Sequence, residues 1–160
     1  MDTLQTRLKL CKERQIKNPN EVNCFGTALY LTCEIDEECF IHPWKVYEEY
    51  LANLQTLRAP IAGCLIAWRD NYPKLIRLED EKEEKSRLHV THLGVVSRIN
   101  PLLITHRDGT NKPIFENVPF CSVDASFRWQ KYGLPMPFDE FGGFLPAERI
   151  QLYLPKGLRQ

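Results

Sequence analysis

The sequence predicts an α+β domain in which helices come first and a small antiparallel sheet second. Three observations predict it. Apolar residues at helical spacing are confined to the N-terminal part, up to about Leu57; short apolar runs bounded by Gly, Pro, Asn and Asp fill the chain after Arg58; and the two kinds do not alternate as a parallel sheet requires.

Each element has its own signal. Thr3 is an N-cap candidate, and Leu4, Leu8 and Cys11 share one side of a helix running from about Thr3 to Gln15, stopped before Asn18-Pro19. The run from Cys24 to Leu31 is apolar almost all round, which predicts a short buried helix starting near Cys24. Pro43 suits the first position of a third helix, whose stripe is Trp44, Tyr47, Leu51, Leu54 and Leu57. Ile61 to Trp68 reads as a buried strand, with Leu75 to Leu78 extending or pairing with it. The mixed charges of Glu79 to Arg87 predict a solvated loop or edge. Strands follow over Leu88 to Val96, Leu102 to Arg107 and, after the turn pair Asp108-Gly109, Ile114 to Val118. Ser122 to Tyr132 reads as a late helix ended by Gly133, and Ile150 to Leu154 as a last strand. Residues 1–160 form one domain, large enough to bury a core without disulfide or metal staples.

Composition narrows the function. Lys+Arg and Asp+Glu balance at 21 each, so no global field recruits nucleic acid or an anionic membrane, and neither is expected as a partner. No run approaches the roughly 20 apolar residues of a membrane span. Met1 to Lys17 is charge-studded rather than secretory, so the expected compartment is the cytoplasm. The six cysteines are irregularly spaced, which predicts reduced thiols, most of them small buried hydrophobes. Cys33, Cys39 and His42 cluster as C-x5-C-x2-H, but a tight knuckle and a fourth ligand are missing, so neither a metal nor a cofactor is expected. Asp36-Glu37-Glu38 between them reads as an exposed turn, and His42 as a cap before Pro43. Trp68, Trp129 and Tyr132 are expected at the core or its edge, and Phe138 to Phe144 as an ordered loop flanking the site.

The chemistry converges on one thiol and two imidazoles. Alternation along Leu88 to Val96 puts His92, Gly94 and Val96 on one face and His89 on the other. With Arg98-Ile99-Asn100 as a three-residue hairpin loop, Val96 faces Leu102, Gly94 faces Ile104, and His92 lies directly opposite His106. Gly94 leaves room beside them. Cysteine catalysis needs a thiol with a stabilised thiolate, a base within reach, and a group that orients the base. Cys24 at a helix N-terminus supplies the first, aided by the helix dipole, and its backbone N–H is one oxyanion donor. His92 is the base and His106 the orienter, with Asp108 as the alternative orienter. The bland reading of the same residues is an inert buried thiol and two satisfied strand histidines.

These residues resemble the NlpC-type cysteine peptidases, a branch of the papain-like fold that includes cell-wall peptidases and CHAP amidases. The resemblance rests on Asn23-Cys24-Phe25-Gly26 at a helix start, Pro60 to Gly63 opening the first strand, His92 to Val96, and Leu103 to His106, in the family's order of Cys, His, His. Where the family usually carries an acidic residue before its cysteine and Ser-Gly after it, this chain has Asn23 before and Phe25-Gly26 after. The resemblance implies N-terminal helices packed on a small antiparallel sheet and a triad of Cys24, His92 and His106. The expected activity is a cysteine hydrolase, a peptidase or amidase working through a thioester on a peptide or amide substrate, with cell-wall-type peptides as one class. An acyltransferase with the same triad, or a non-catalytic binding or regulatory domain on the same scaffold, are the alternatives.

Overall fold

The first two helices, α1 (Leu4–Lys17) and α2 (Cys24–Leu31), form at the positions that periodicity predicts. The computed structural model describes residues 4–17, 20–69, 74–76, 85–87, 90–124 and 150–158. All eight residues of α2 are buried. A helix this short is marginal alone, so packing and caps carry it. At its start Asn23 accepts a hydrogen bond from the Gly26 N–H at 3.1 Å, and at its end Thr32 Oγ1 donates to the Ala28 carbonyl at 2.9 Å.

The third helix departs from expectation. Its α-helical part, α3, is only Pro43–Lys45; a π-helical turn follows over Val46–Tyr50, then a 3-10 turn over Leu51–Asn53. The π turn adds a residue to the helical period, so the buried face carries Val46, Leu51 and Leu54, while Trp44 stays half-exposed. The expected stripe overran: Gln55–Leu57 is strand β1, because its backbone pairs with Leu152 to Leu154 at the sheet edge.

Strands β2 (Leu65–Arg69), β5 (Val90–Ile99), β6 (Leu102–Arg107), β7 (Ile114–Pro119) and β8 (Ile150–Leu154) complete an antiparallel sheet ordered β1-β8-β2-β5-β6-β7. The first long strand starts later than predicted because residues 61–64 form a turn: the Cys64 N–H donates to the Ile61 carbonyl, and Gly63 takes a φ of 90°, where an L side chain is strained. Lys74–Ile76 (β3) does not join this sheet but pairs with Lys85–Arg87 (β4). The expected late helix appears as α4, Phe120–Asp124, starting right after Pro119; residues 125–132, with Trp129 and Tyr132, and the loop 138–144 lie outside the described residues, as does His89.

Period-two alternation divides the core in two. Leu65, Ala67, Leu93, Val95 and Tyr153 face α1 and α2, packing with Cys24, Phe25, Leu29 and Leu8. Ile66, Trp68, Val96, Ile104, Ile150 and Leu152 face the other way and pack with Phe120 and Val123 of α4. The domain is therefore α+β, a sheet between two unequal helical layers.

Candidate functional site

Cys24 is the first residue of α2, directly after the capping Asn23. The same asparagine fastens residue 41 across the helix start: its Nδ2 donates to the Ile41 carbonyl at 2.8 Å and its Oδ1 accepts the Ile41 N–H at 3.3 Å. Gly26 is required beneath this crossing, since a Cβ there would sit 1.5 Å from the Cys39 carbonyl oxygen.

The two histidines come together, though not in the predicted register. The hairpin turns at Asn100-Pro101, with Ile99 opposite Leu102 and Arg98 opposite Leu103; Ser97 forms a bulge, after which Val96 faces Ile104 and Val95 faces Thr105. The two-residue turn and the bulge together move the pairing by two positions from that expected for a three-residue loop. A shift of two preserves the face. His106 thus falls beside Gly94, where a Cβ would lie 3.4 Å from its own Cβ, and His92 reaches it diagonally. His92 Nε2 and His106 Nδ1 are 2.9 Å apart, with the rings at 90°. His92 is fully buried, its ring 5.4 Å from that of Trp68, which stacks on Phe120 and donates from Nε1 to Asp124 at 2.9 Å.

The thiol does not meet this pair as expected: it lies on the other face of the sheet from the two rings. Cys24 packs with Leu93 and Val95 on the α2 side, whereas the His92 ring packs with Trp68 on the α4 side. The Val96 N–H donates to the Cys64 carbonyl in the direction of β2, so the Leu93 N–H, an odd number of residues away, points toward β6. There the β5–β6 ladder has already ended at Val95 and Thr105, and the Cys24 sulfur takes the vacant place beside the Leu93 N–H. Among the described residues no hydrogen bond joins Cys24 to either histidine; the residue next to His92 in the chain is what it touches.

Burial governs the protonation states. It pushes the Cys24 thiol up to about 12, against the backbone N–H groups of Leu93, Phe25 and Cys24 itself, which favour the thiolate. The helix terminus, expected to favour ionisation, is outweighed because the site is only 6% exposed. Burial holds His92 well below the usual imidazole range and His106 positive charge lowers it further; burial also lowers His106, with Asp108 acting the other way. At neutral pH the resting site is a neutral thiol beside a neutral imidazole pair. One ring then donates and the other accepts across the 2.9 Å contact. If His92 donates from Nε2, its Nδ1 keeps a lone pair for a proton. Exposed Asp108 does not hydrogen-bond His92 among the described residues; it lines a depression of about 220 Å³ with His106, Phe115 and Ser122.

Other expectations need correction. Glu38 is not part of an exposed turn: it is 5% exposed and paired with Arg107 of β6, while Asp36 and Glu37 remain outside. An arginine in an otherwise apolar strand was the available signal for such a partner. His42 is the N-cap residue of α3 but makes no side-chain cap; its ring stacks on Trp44 instead. Three cysteines, Cys11, Cys24 and Cys64, are buried and Cys33, Cys39 and Cys121 are exposed, rather than most being buried; all six are free thiols. Among the described residues no three His, Cys, Asp or Glu side chains converge as a metal site, and no helix is long and apolar enough to cross a membrane.

Comparisons with protein-family models, with curated proteins and with solved structures gave no match to this chain.

Proposed function

We propose that this protein is a papain-like cysteine hydrolase, a peptidase or amidase acting on a peptide or amide substrate in the cytoplasm. The observation that carries the reading is the 2.9 Å contact between His92 Nε2 and His106 Nδ1, together with a sulfur at the first residue of a capped helix that meets the backbone N–H of Leu93, the residue after His92.

Cys24 is the nucleophile. Because thiol and imidazole rest neutral, the proton moves from sulfur to His92 as the sulfur attacks the carbonyl carbon, rather than before. The Cys24 N–H, unpaired within the helix at its first turn, donates to the oxyanion that develops. His92 then protonates the leaving amine as the C–N bond breaks, leaving a thioester. Water, deprotonated by His92, cleaves the thioester and returns the acid and the thiol. His106 accepts the Nε2–H of His92 and spreads the imidazolium charge.

Intact-mass detection of an acyl adduct on Cys24 after exposure to a panel of peptide and amide substrates tests this directly, with the added mass identifying the acyl group. Turnover in Cys24→Ala equal to wild type sinks the reading. The exposures of 6%, 0% and 5% at Cys24, His92 and His106 favour a second reading, a scaffold that keeps these residues without turnover. A folded protein that forms no adduct with any of the panel and hydrolyses none of it supports that one.

A further inference from the structure

The proposed reaction leaves unused a buried ionic cluster that joins the helix of Cys24 to the strand of His106. Thr27 lies one turn along α2 from Cys24, and Arg107 directly follows His106 in β6. The Arg107 guanidinium donates from Nε to Thr27 Oγ1 at 2.8 Å, from Nη2 to Glu38 Oε2 at 2.8 Å, and from Nη1 to the Lys112 carbonyl at 2.6 Å. The Thr27 hydroxyl donates in turn to Glu38 Oε2, and Arg14 of α1 stands 3.6 Å from the other carboxylate oxygen. The Arg107 and Glu38 side chains are 1% and 2% exposed.

An ion pair this deep is a poor source of net stability, because desolvation offsets its attraction. Its geometric consequence is stronger. Apolar contacts between α2 and the sheet are non-directional, whereas one planar guanidinium fixes directions to three elements at once, Thr27 of α2, Glu38 and the Lys112 carbonyl. The cluster is also tied to the helix start, since Glu38 immediately precedes the Cys39 carbonyl that rests on Gly26, and Ile41 beyond it is held by Asn23. Helix, strap and strand are therefore fixed to one another within two turns of the thiol.

We propose that Thr27, Glu38 and Arg107 are positioning residues, a brace that sets the placement of Cys24 relative to the His92–His106 pair. The inference rests on the Cys-His-His reading above. Misplacement of reacting groups by about 1 Å costs on the order of 100-fold in rate, so a loosened brace acts on kcat while the substrate contacts that set KM are left in place.

Thr27→Val keeps the side-chain volume and removes the hydroxyl that both accepts from Arg107 and donates to Glu38; Thr27→Ser restores it. In Thr27→Val the expected result is a kcat lowered about 10- to 100-fold with KM within about twofold, and shifted ring-nitrogen NMR resonances of His92 and His106. Thr27→Ser returns both to wild-type values. Glu38→Gln, which retains an acceptor for Arg107 but not the charge, should move the same readouts in the same direction and serves if Thr27→Val does not fold. Unchanged ring resonances and kcat, with only a lower melting temperature, overturn the brace. The resonances report on it even in a protein without turnover, so failure of the hydrolase reading, seen as equal turnover in Cys24→Ala, is separately visible.

Discussion

Replacing Asn23 by alanine removes three hydrogen bonds from a side chain that is 4% exposed, and each loss can be followed to a named group. The Gly26 N–H loses its cap acceptor, which costs about 1 kcal/mol in typical helices. The Ile41 N–H and carbonyl lose partners at 3.3 and 2.8 Å, and a buried backbone group left unsatisfied costs about 1–3 kcal/mol. Partial entry of water into the vacated space brings the sum to about 3 kcal/mol rather than the upper limit. For a domain of this size that lowers the melting temperature by about 6–12 °C. Asn23→Asp separates the contributions: it keeps the acceptor for Gly26 and Ile41 but loses the donor to the Ile41 carbonyl, and sets a carboxylate against that oxygen. Urea unfolding of the three proteins at pH 7.5, with the slope held common, measures the differences. A loss below about 1 kcal/mol for Asn23→Ala would show that residue 41 is held by something else, and the account of how the helix start is fastened would fail.

Gly94→Ala places a Cβ 2.8 Å from Ile104 Cγ2 and 3.4 Å from His106 Cβ, so strand and imidazole must give way; overpacking of this kind costs about 1–3 kcal/mol, and the His106 ring resonances should shift in the folded variant. Wild-type resonances would mean that the strand yields elsewhere. Acid should destabilise the protein below pH 6.5: both histidines are held below that unfolded value, so the unfolded chain binds more protons there, and stability present above pH 6.5 is lost as pH falls, by up to about 1.4 kcal/mol per pH unit for each proton. Urea midpoints from pH 7 to 4.5 check this, and His92→Phe should flatten the slope. The thiol acts at the other end: Cys24, raised from 9.0, contributes stability that is complete below pH 9 and lost as pH climbs toward about 12. In the folded protein at pH 7.5, an alkylating agent followed by intact mass should add three groups quickly, on Cys33, Cys39 and Cys121, with Cys11, Cys24 and Cys64 reacting only slowly. Fast addition at Cys24 would refute the neutral, buried thiol. His106→Asn retains an acceptor for the His92 proton and should keep more turnover than His106→Leu; equal rates would remove His106 from the chemistry.

Much of this arrangement was legible in the sequence because short-range rules decide it. Leu102–Arg107 lies between the turn pairs Asn100-Pro101 and Asp108-Gly109, Ile150–Leu154 is a short mostly apolar run closed by Pro155, and both strands occur at their predicted bounds. The apolar run from Cys24 to Leu31 places a buried helix start near Cys24, and the helix begins at that residue. The failures come where a distant partner overrides a local pattern. Leu57 continues a helical stripe in sequence, yet strand β8 claims its backbone. The hairpin register depends on whether Asn100-Pro101 closes a two-residue turn and where a bulge compensates, and no residue type at Ser97 announces a bulge. Glu38 sits in an acidic triplet that reads as solvated, and only the fold reveals that Arg107, 69 residues away, lies beside it. The parity of the histidines survived an error of two positions for a physical reason: strand faces repeat every second residue, so an even slip alters neighbours but not sides.

The protonation states constrain the order of events in the proposed reaction. A thiolate needs solvent or a cation, and Cys24 has neither in abundance: about two turns of buried helix, a backbone N–H from Leu93 and a histidine pair that itself resists charge. Were either proton transfer to happen first, a charge would stand in a site that is fully closed at His92, and burial disfavours both products. In the proposed reaction, moving the proton as the sulfur–carbon bond forms avoids that, since the negative charge would then appear on the substrate oxygen, at the N–H groups of the helix start, while the positive charge would be shared across the 2.9 Å imidazole contact. Such a concerted step tolerates little error in distance. Asn23, Gly26 and Thr27 each hold a different part of residues 38–41, the fixing that the proposed step would require, and the brace and the proposed chemistry are tested by different measurements.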